Sequence, residues 1–240
     1  MIKNALEYII GLRKPEILTL DNATYSDKPL QRISHNPKAD TIRMTTLSSL
    51  VDYIKGNIDK MSDKMIVHIQ SPTSIQFYSK LDRDREREYM VEVTAQLPHF
   101  EFERFVEHEA FCINLQSKFI DEAETDRALL LKFAGTVEAG TIAEYGDDGV
   151  TQKATVKTGI ASKGEAVVPS PVTLKPYRTF VEVEQPLSKF IFRMKQDQYN
   201  GVQCALFESD GGAWKIEAMK SIKAYLQEQL KDIDGITVIS

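Results

Sequence analysis

The chain has 240 residues, 42% hydrophobic and 27% charged, enough apolar material to bury a core as one large domain or two small ones. Its 35 acidic and 30 basic residues leave a formal net charge of −5, so the whole-molecule field repels nucleic acid and anionic membrane. No apolar run approaches the roughly 20 residues of a membrane span, and Asn4, Glu7 and Arg13 break up the N-terminus before it could serve as a signal-peptide core.

In chain order, Ile2, Leu6, Ile9 and Ile10 recur at helical spacing and Gly11 with Pro15 ends the run, which predicts a short amphipathic helix over Ile2 to Leu12. Glu16 to Leu20 and Thr41 to Met44 read as strands around a polar loop. Thr46 then caps a helix whose stripe is Leu47, Leu50, Val51, Ile54 and Ile58. Met65 to Gln70 and Ile75 to Ser79 flank the turn Ser71-Pro72-Thr73. Tyr89 to Gln96 alternates Tyr89, Val91, Val93 and Ala95 against polar neighbours, completing an antiparallel meander. The intervening run from Lys80 to Glu88 alternates in sign and reads as a solvated hairpin end.

From Phe102 the pattern turns helical, with Phe105, Val106, Cys112, Ile113, Phe119 and Ile120 on one side, and Arg127 to Val137 begins another helical or buried segment. Thr136 to Gly149 is glycine-rich and marks a loop or a junction between two halves. Thr151 to Gly159 alternates like a strand. Between Pro169 and Gly201, turn residues punctuate runs rich in Val, Phe, Ile and Thr. Asp210-Gly211-Gly212 then precedes a helix with the i, i+4 stripe Trp214, Ala218, Ile222, Leu226 and Leu230, and Ile236 to Ile239 closes the chain as a strand. The expected fold is α+β: a largely antiparallel sheet packed against several amphipathic helices, ending in a long helix and a short strand, as a single domain over 1–240 with a soft subdivision near residue 140. Cys112 and Cys204 lie far apart in apolar contexts and read as buried thiols rather than a disulfide, which fits a reducing cytoplasm.

Four groups of residues carry chemistry worth weighing. Pro98 to Glu109 concentrates two imidazoles and four carboxylates. A helix starting near Phe100 would place Glu103 and Glu107 on one face, with His99 and His108 as further metal ligands, although HExxH spacing is absent and a solvated helix face is the plainer reading. Gly159 to Gly164 has the first spacing of a phosphate loop, but Glu165-Ala166 stands where Lys-Ser/Thr should follow, so a surface turn is favoured. Asp147-Asp148-Gly149 and Asp210-Gly211-Gly212 carry carboxylates in the ordinary chemistry of turns. Lys175, Tyr177 and Arg178, with Phe190 and Arg193, alternate cations with aromatics. On an exposed sheet face such an array would stack bases and hold phosphates; the competing arrangement is a strand pair with aromatics inward and cations outward.

Several of these runs also carry a resemblance. Gly146 to Gln152 (GDDGVTQ), Val168 to Phe180 (VPSPVTLKPYRTF), Glu182 to Pro186 (EVEQP), Phe192-Arg193 and Phe207 to Trp214 (FESDGGAW) resemble the YfdQ-like proteins, a family of uncharacterised proteins from tailed phages and prophages. The likeness is clearest over residues 146–230 and extends through Ser71-Pro72-Thr73 and Glu101 to Phe105. The resemblance implies a phage origin and a place among early, non-virion genes, and it brings no catalytic residues to carry over.

No nucleophile, base and orienting group assemble from these motifs, so the expected activity is binding rather than catalysis, with no cofactor. The reading is a phage accessory protein in the host cytoplasm that engages a host or phage macromolecule and counters host defence, with a host or phage protein as partner and no membrane. The alternative is a nucleic-acid or nucleotide binder of phage DNA metabolism or signal sequestration, using Arg178 and Arg193; a metal-dependent enzyme built on His99, Glu103, Glu107 and His108 comes third. Three apolar faces, Ile2 to Ile10, Leu47 to Ile58 and Trp214 to Leu230, predict self-association.

Overall fold

The computed structural model describes residues 2–11, 15–20, 23–28, 38–61, 64–137, 152–157, 163–197, 199 and 201–240, and divides into two units, Met1–Ala39 and Asp40–Ser240. In the first, helix α1 (Ile2–Gly11) is followed by an antiparallel hairpin of β1 (Ile17–Leu20) and β2 (Ala23–Ser26), in register Leu18 to Tyr25 and Thr19 to Thr24. Strand β2 lies in what the sequence reads as polar loop: its four residues are too few to show an alternation, and only pairing with β1 defines them. Ile2, Leu6 and Ile9 of α1, and Ile17, Leu18 and Tyr25 of the hairpin, are exposed.

In the second unit β3 (Ile42–Met44) leads into α2 (Leu47–Gly56). The Thr46 side chain accepts from the Ser49 N–H and starts α2, and Asn57, at φ +42°, ends it. That stop leaves Ile58, expected on the buried stripe, 76% exposed, while Leu47, Leu50, Val51 and Ile54 are buried. The meander follows as β4 (Met65–Ser71), β5 (Ser74–Ser79) and β6 (Tyr89–Thr94), with Val67, Phe77, Val91 and Val93 facing inward. Next come β7 (Val106–Glu107), α3 (His108–Lys118), α4 (Arg127–Thr136), the paired strands β8 (Lys153–Lys157) and β9 (Lys163–Val167), then β10 (Val172–Leu174), β11 (Ser188–Asp197), β12 (Gly201–Glu208), α5 (Ala213–Gln229) and β13 (Ile236–Ile239).

The fold is α+β, as its patterning predicts. One sheet has five strands in the order β13-β4-β5-β6-β3, an antiparallel meander with a parallel strand added at each edge, and a second has four antiparallel strands, β10-β11-β12-β7. Each sheet has its own core. Over the five-stranded sheet, α2 and α5 contribute Leu50, Ile54, Ile222 and Leu226; over the other, α3 and α4 contribute Phe111, Leu115 and Leu130 against Phe190, Phe192 and Cys204.

One stretch departs from expectation. The helix predicted from Phe102 begins only at His108, because the Glu107 carboxylate accepts the N–H groups of Glu109 and Ala110 and Glu103 sits at φ +62°, outside helical backbone. Its buried face is therefore Phe111 and Leu115, and Ile113 is exposed. Cys112 and Cys204 are both free thiols, Cys204 fully buried and Cys112 partly so. The expected soft division near residue 140, the glycine-rich loop and Asp147-Asp148-Gly149 lie in residues 138–150, and most of the Gly159 to Gly164 turn lies in 158–162, all outside the described residues.

Candidate functional site

Residues 175–188 join the two cores, and hydrogen bonding fixes their path. The Lys175 carbonyl accepts from the Ile120 N–H and Tyr177 N–H donates to the Lys118 carbonyl, a short antiparallel bridge that sets Lys118 beside Tyr177. Farther along, the Gln185 side-chain oxygen accepts the N–H groups of Arg178 (2.9 Å) and Thr179 (3.1 Å) while its amide donates to the carbonyls of Phe180 and Thr179. Thr179 donates its hydroxyl to the Pro72 carbonyl at 2.6 Å, and Phe180 drops into the core of the five-stranded sheet. Glu182 accepts the Leu47 N–H at the start of α2, adding a carboxylate to that helix's positive end. With the Val183 carbonyl at 3.3 Å as a further acceptor, this buried amide meets five backbone groups, an expensive arrangement to lose that fixes the path of the loop.

Arg178 is where that fixed path matters. Its side chain is 6% exposed; Nη1 donates to Glu208 Oε1 at 2.5 Å and Nη2 donates to the Ser188 hydroxyl. Burial pulls the guanidinium below its usual pKa, opposed by the charges of Glu208 and Asp210. The guanidinium carbon lies 4.1 Å from the Trp214 ring centroid, 5.3 Å from Phe190 and 5.7 Å from Phe102, and Phe102 stacks on Phe190 at 5.4 Å. Trp214 arrives there because Gly211 and Gly212, at φ +63° and +79°, turn the chain sharply out of β12 into α5, with Asp210 accepting the Gly212 N–H.

Beside this stack opens a cleft of about 280 Å³. It is lined by Phe100 and Phe102, by Pro98 and Pro176, and by Tyr177, Arg178 and Trp214, with the Lys118 and His99 side chains among its polar groups. The Lys118 ammonium donates to the His99 carbonyl, which ties α3 to the segment before β7. Among the described residues no aspartate or glutamate lines the cleft. Two buried donors beside it, Arg178 Nε and Trp214 Nε1, have no hydrogen-bond partner among the described residues. A larger depression of about 510 Å³ next to β3 and β6 is lined by Arg43 and Glu92, whose charged groups face each other at 3.9 Å.

The sequence-derived ligand set is distributed by this geometry. Tyr177 and Arg178 line the cleft. Phe190 is fully buried beneath Arg178, so its faces are taken by protein. Lys175 is buried and its ammonium is held by Glu122 (2.7 Å) and Glu184; burial lowers its pKa, and these two carboxylates more than reverse the shift, leaving it raised. Along β11, Ser188, Phe190, Phe192 and Met194 point inward, and Lys189, Arg193 and Lys195 occupy the opposite face, the aromatics-in, cations-out alternative. Arg193 thus donates to the Ser170 hydroxyl at 3.3 Å, on the other side of the sheet from the Arg178 stack, and the two arginines do not converge.

The metal set does not assemble either. Among the described residues no three His, Cys, Asp or Glu side chains group as ligands. His108 Nε2 lies 2.8 Å from the Ala134 carbonyl, Glu107 caps α3, Glu103 sits in a turn, and His99 lies at the cleft, with Glu101 at 3.9 Å. Lys118, Phe102 and Trp214 are the site residues that local pattern could not supply as a set. The bridge between Phe119 and Pro176 and the turn at Gly211-Gly212 bring them together, and neither leaves a periodic signal. No family model, curated protein or solved structure matches this chain.

Proposed function

We propose that this chain is a binding protein without a reaction of its own, a phage accessory protein that engages a host or phage macromolecule in the host cytoplasm and counters host defence. The cleft between Trp214 and Phe100 is its recognition point. The observation that supports this is the cleft's composition: aromatic and proline lining, donors and cations among its polar groups, and no carboxylate among the described residues, in a chain that is acidic as a whole. Anchored aromatic and arginine side chains beside a partly open depression are the usual centre of a protein interface. The resemblance to YfdQ-like phage proteins is the ground for the phage setting.

Affinity purification from phage-infected cells tests the reading, with the parent and the variants Tyr177→Ala and Lys118→Glu as baits. A macromolecule retained by the parent and lost from both variants supports it. Equal retention by all three, or no retained macromolecule, overturns it. The nucleotide or nucleic-acid reading has one observation in its favour, the three basic residues at the cleft, and Arg193 and Phe190 contribute nothing to it there.

A further inference from the structure

The cleft's dimensions and charges narrow what can occupy it. At about 280 Å³ it lies at the small end of the roughly 300–1,000 Å³ of ligand clefts, with room for a single anchoring residue of a larger partner. Lys118, Arg178 and Trp214 bring N–H donors to its lining and Tyr177 a hydroxyl, so an occupant that carries an acceptor fits it. Phe100, Phe102, Pro98 and Pro176 line it too, so apolar surface on that occupant also fits.

Charge then separates a singly from a doubly charged acceptor. Glu208 already compensates Arg178, Asp210 adds negative field there, and Glu101 stands 3.9 Å from His99. Lys118, whose ammonium meets only a backbone carbonyl, is left as the cation facing the cleft without a carboxylate partner among the described residues. One uncompensated positive charge matches a carboxylate and is a poor match for a phosphate dianion.

Resting on the reading above, we infer that the cleft holds an acidic peptide anchor: a carboxylate carried next to a bulky apolar side chain of the partner. Two further features fit this occupant. Arg178 Nε and Trp214 Nε1 are buried donors lacking an acceptor among the described residues, a costly state that a carboxylate's four lone-pair sites would relieve. Both nitrogens are shielded from solvent in this structure, so an acceptor in the cleft would meet them only if the indole moved aside. Occupancy of the cleft has a built-in reporter, because Trp214 lines it and is the one tryptophan in the chain.

The test titrates the full chain with N-acetylphenylalanine, N-acetylphenylalaninamide and adenosine monophosphate, reading Trp214 emission. The expected result is a saturable change with the free acid at millimolar concentration, binding about tenfold weaker or worse for the amide, and a several-fold loss for the acid in Lys118→Gln. Equal affinity for acid and amide, tighter binding of the nucleotide, or no saturable change by about 10 mM would each overturn the inference. Its failure is separable from that of the binding reading. Loss of partner capture in Tyr177→Ala with no response to the acid condemns the ligand class alone, whereas a response to the acid with capture intact in that variant condemns the interface.

Discussion

Trp214 shows how one side chain can stabilise through its ring and destabilise through its polar edge. The ring covers the Arg178 guanidinium at 4.1 Å, while its N–H is buried without an acceptor among the described residues. Trp214→Ala removes the cover and should lower stability by about 2 kcal/mol, less than the 3–5 of a fully enclosed tryptophan, because the side chain is only partly buried. Trp214→Phe keeps a ring over the guanidinium and deletes the orphan donor, so its denaturant midpoint should equal or exceed the parent's. A midpoint for the phenylalanine variant as low as that of the alanine variant would show that the indole N–H has a partner after all. The importance of Trp214 is legible from its place at the head of the i, i+4 stripe; its role as cover for Arg178 is not, because the two residues are distant in sequence and meet only through the fold.

Helices α2 and α3 contrast a start written in the sequence with one that is not. Thr46 is an N-cap by residue type, and Thr46→Ala should cost about 1 kcal/mol, measured by chemical denaturation, with Glu182 still holding the Leu47 N–H. At α3 the cap is Glu107, preceded by aromatic and acidic residues that mimic a continuing helix until the positive φ of Glu103 interrupts it. The N–H groups of Glu109 and Ala110 hold the Glu107 carboxyl below the usual carboxylate range. A carboxylate whose folded pKa is depressed contributes stability above its unfolded pKa and loses it as pH falls through the folded value. Glu107→Gln should therefore be less stable than the parent at neutral pH, with the difference closing on the acid side. A gap independent of pH from 7 to about 3 would mean that the cap is uncharged in its effect.

At the scale of the molecule, two of the three apolar faces that predict self-association are consumed internally: Leu47 to Ile54 and Ala218 to Leu230 pack over the five-stranded sheet. The third survives, because Ile2, Leu6 and Ile9 of α1 are exposed, as are Ile17, Leu18 and Tyr25 of the hairpin that follows. Light scattering at tens of micromolar should give more than the monomer mass of 27.2 kDa for the full chain, and Leu6→Glu/Ile9→Glu should return it to monomer. A strictly monomeric parent would show that these residues stay in water or are covered within one chain.

The periodicities of this chain determined by themselves its α+β class, the capped helix at Thr46, the meander from Met65 to Thr94 and the buried stripe of the last helix, because each is a local repeat of apolar residues that any burial must respect. Which cations would be free to meet a ligand was decided by tertiary structure alone. Lys175 and Arg178 read as surface charges until Glu122 and Glu208, distant along the chain, and Glu184, across the loop, close on them; Arg193 falls to the opposite face by strand alternation; and Lys118 reaches the cleft through a two-residue bridge to Pro176 and Tyr177. Charge pairing is set by distance in space, and a sequence records only distance along the chain.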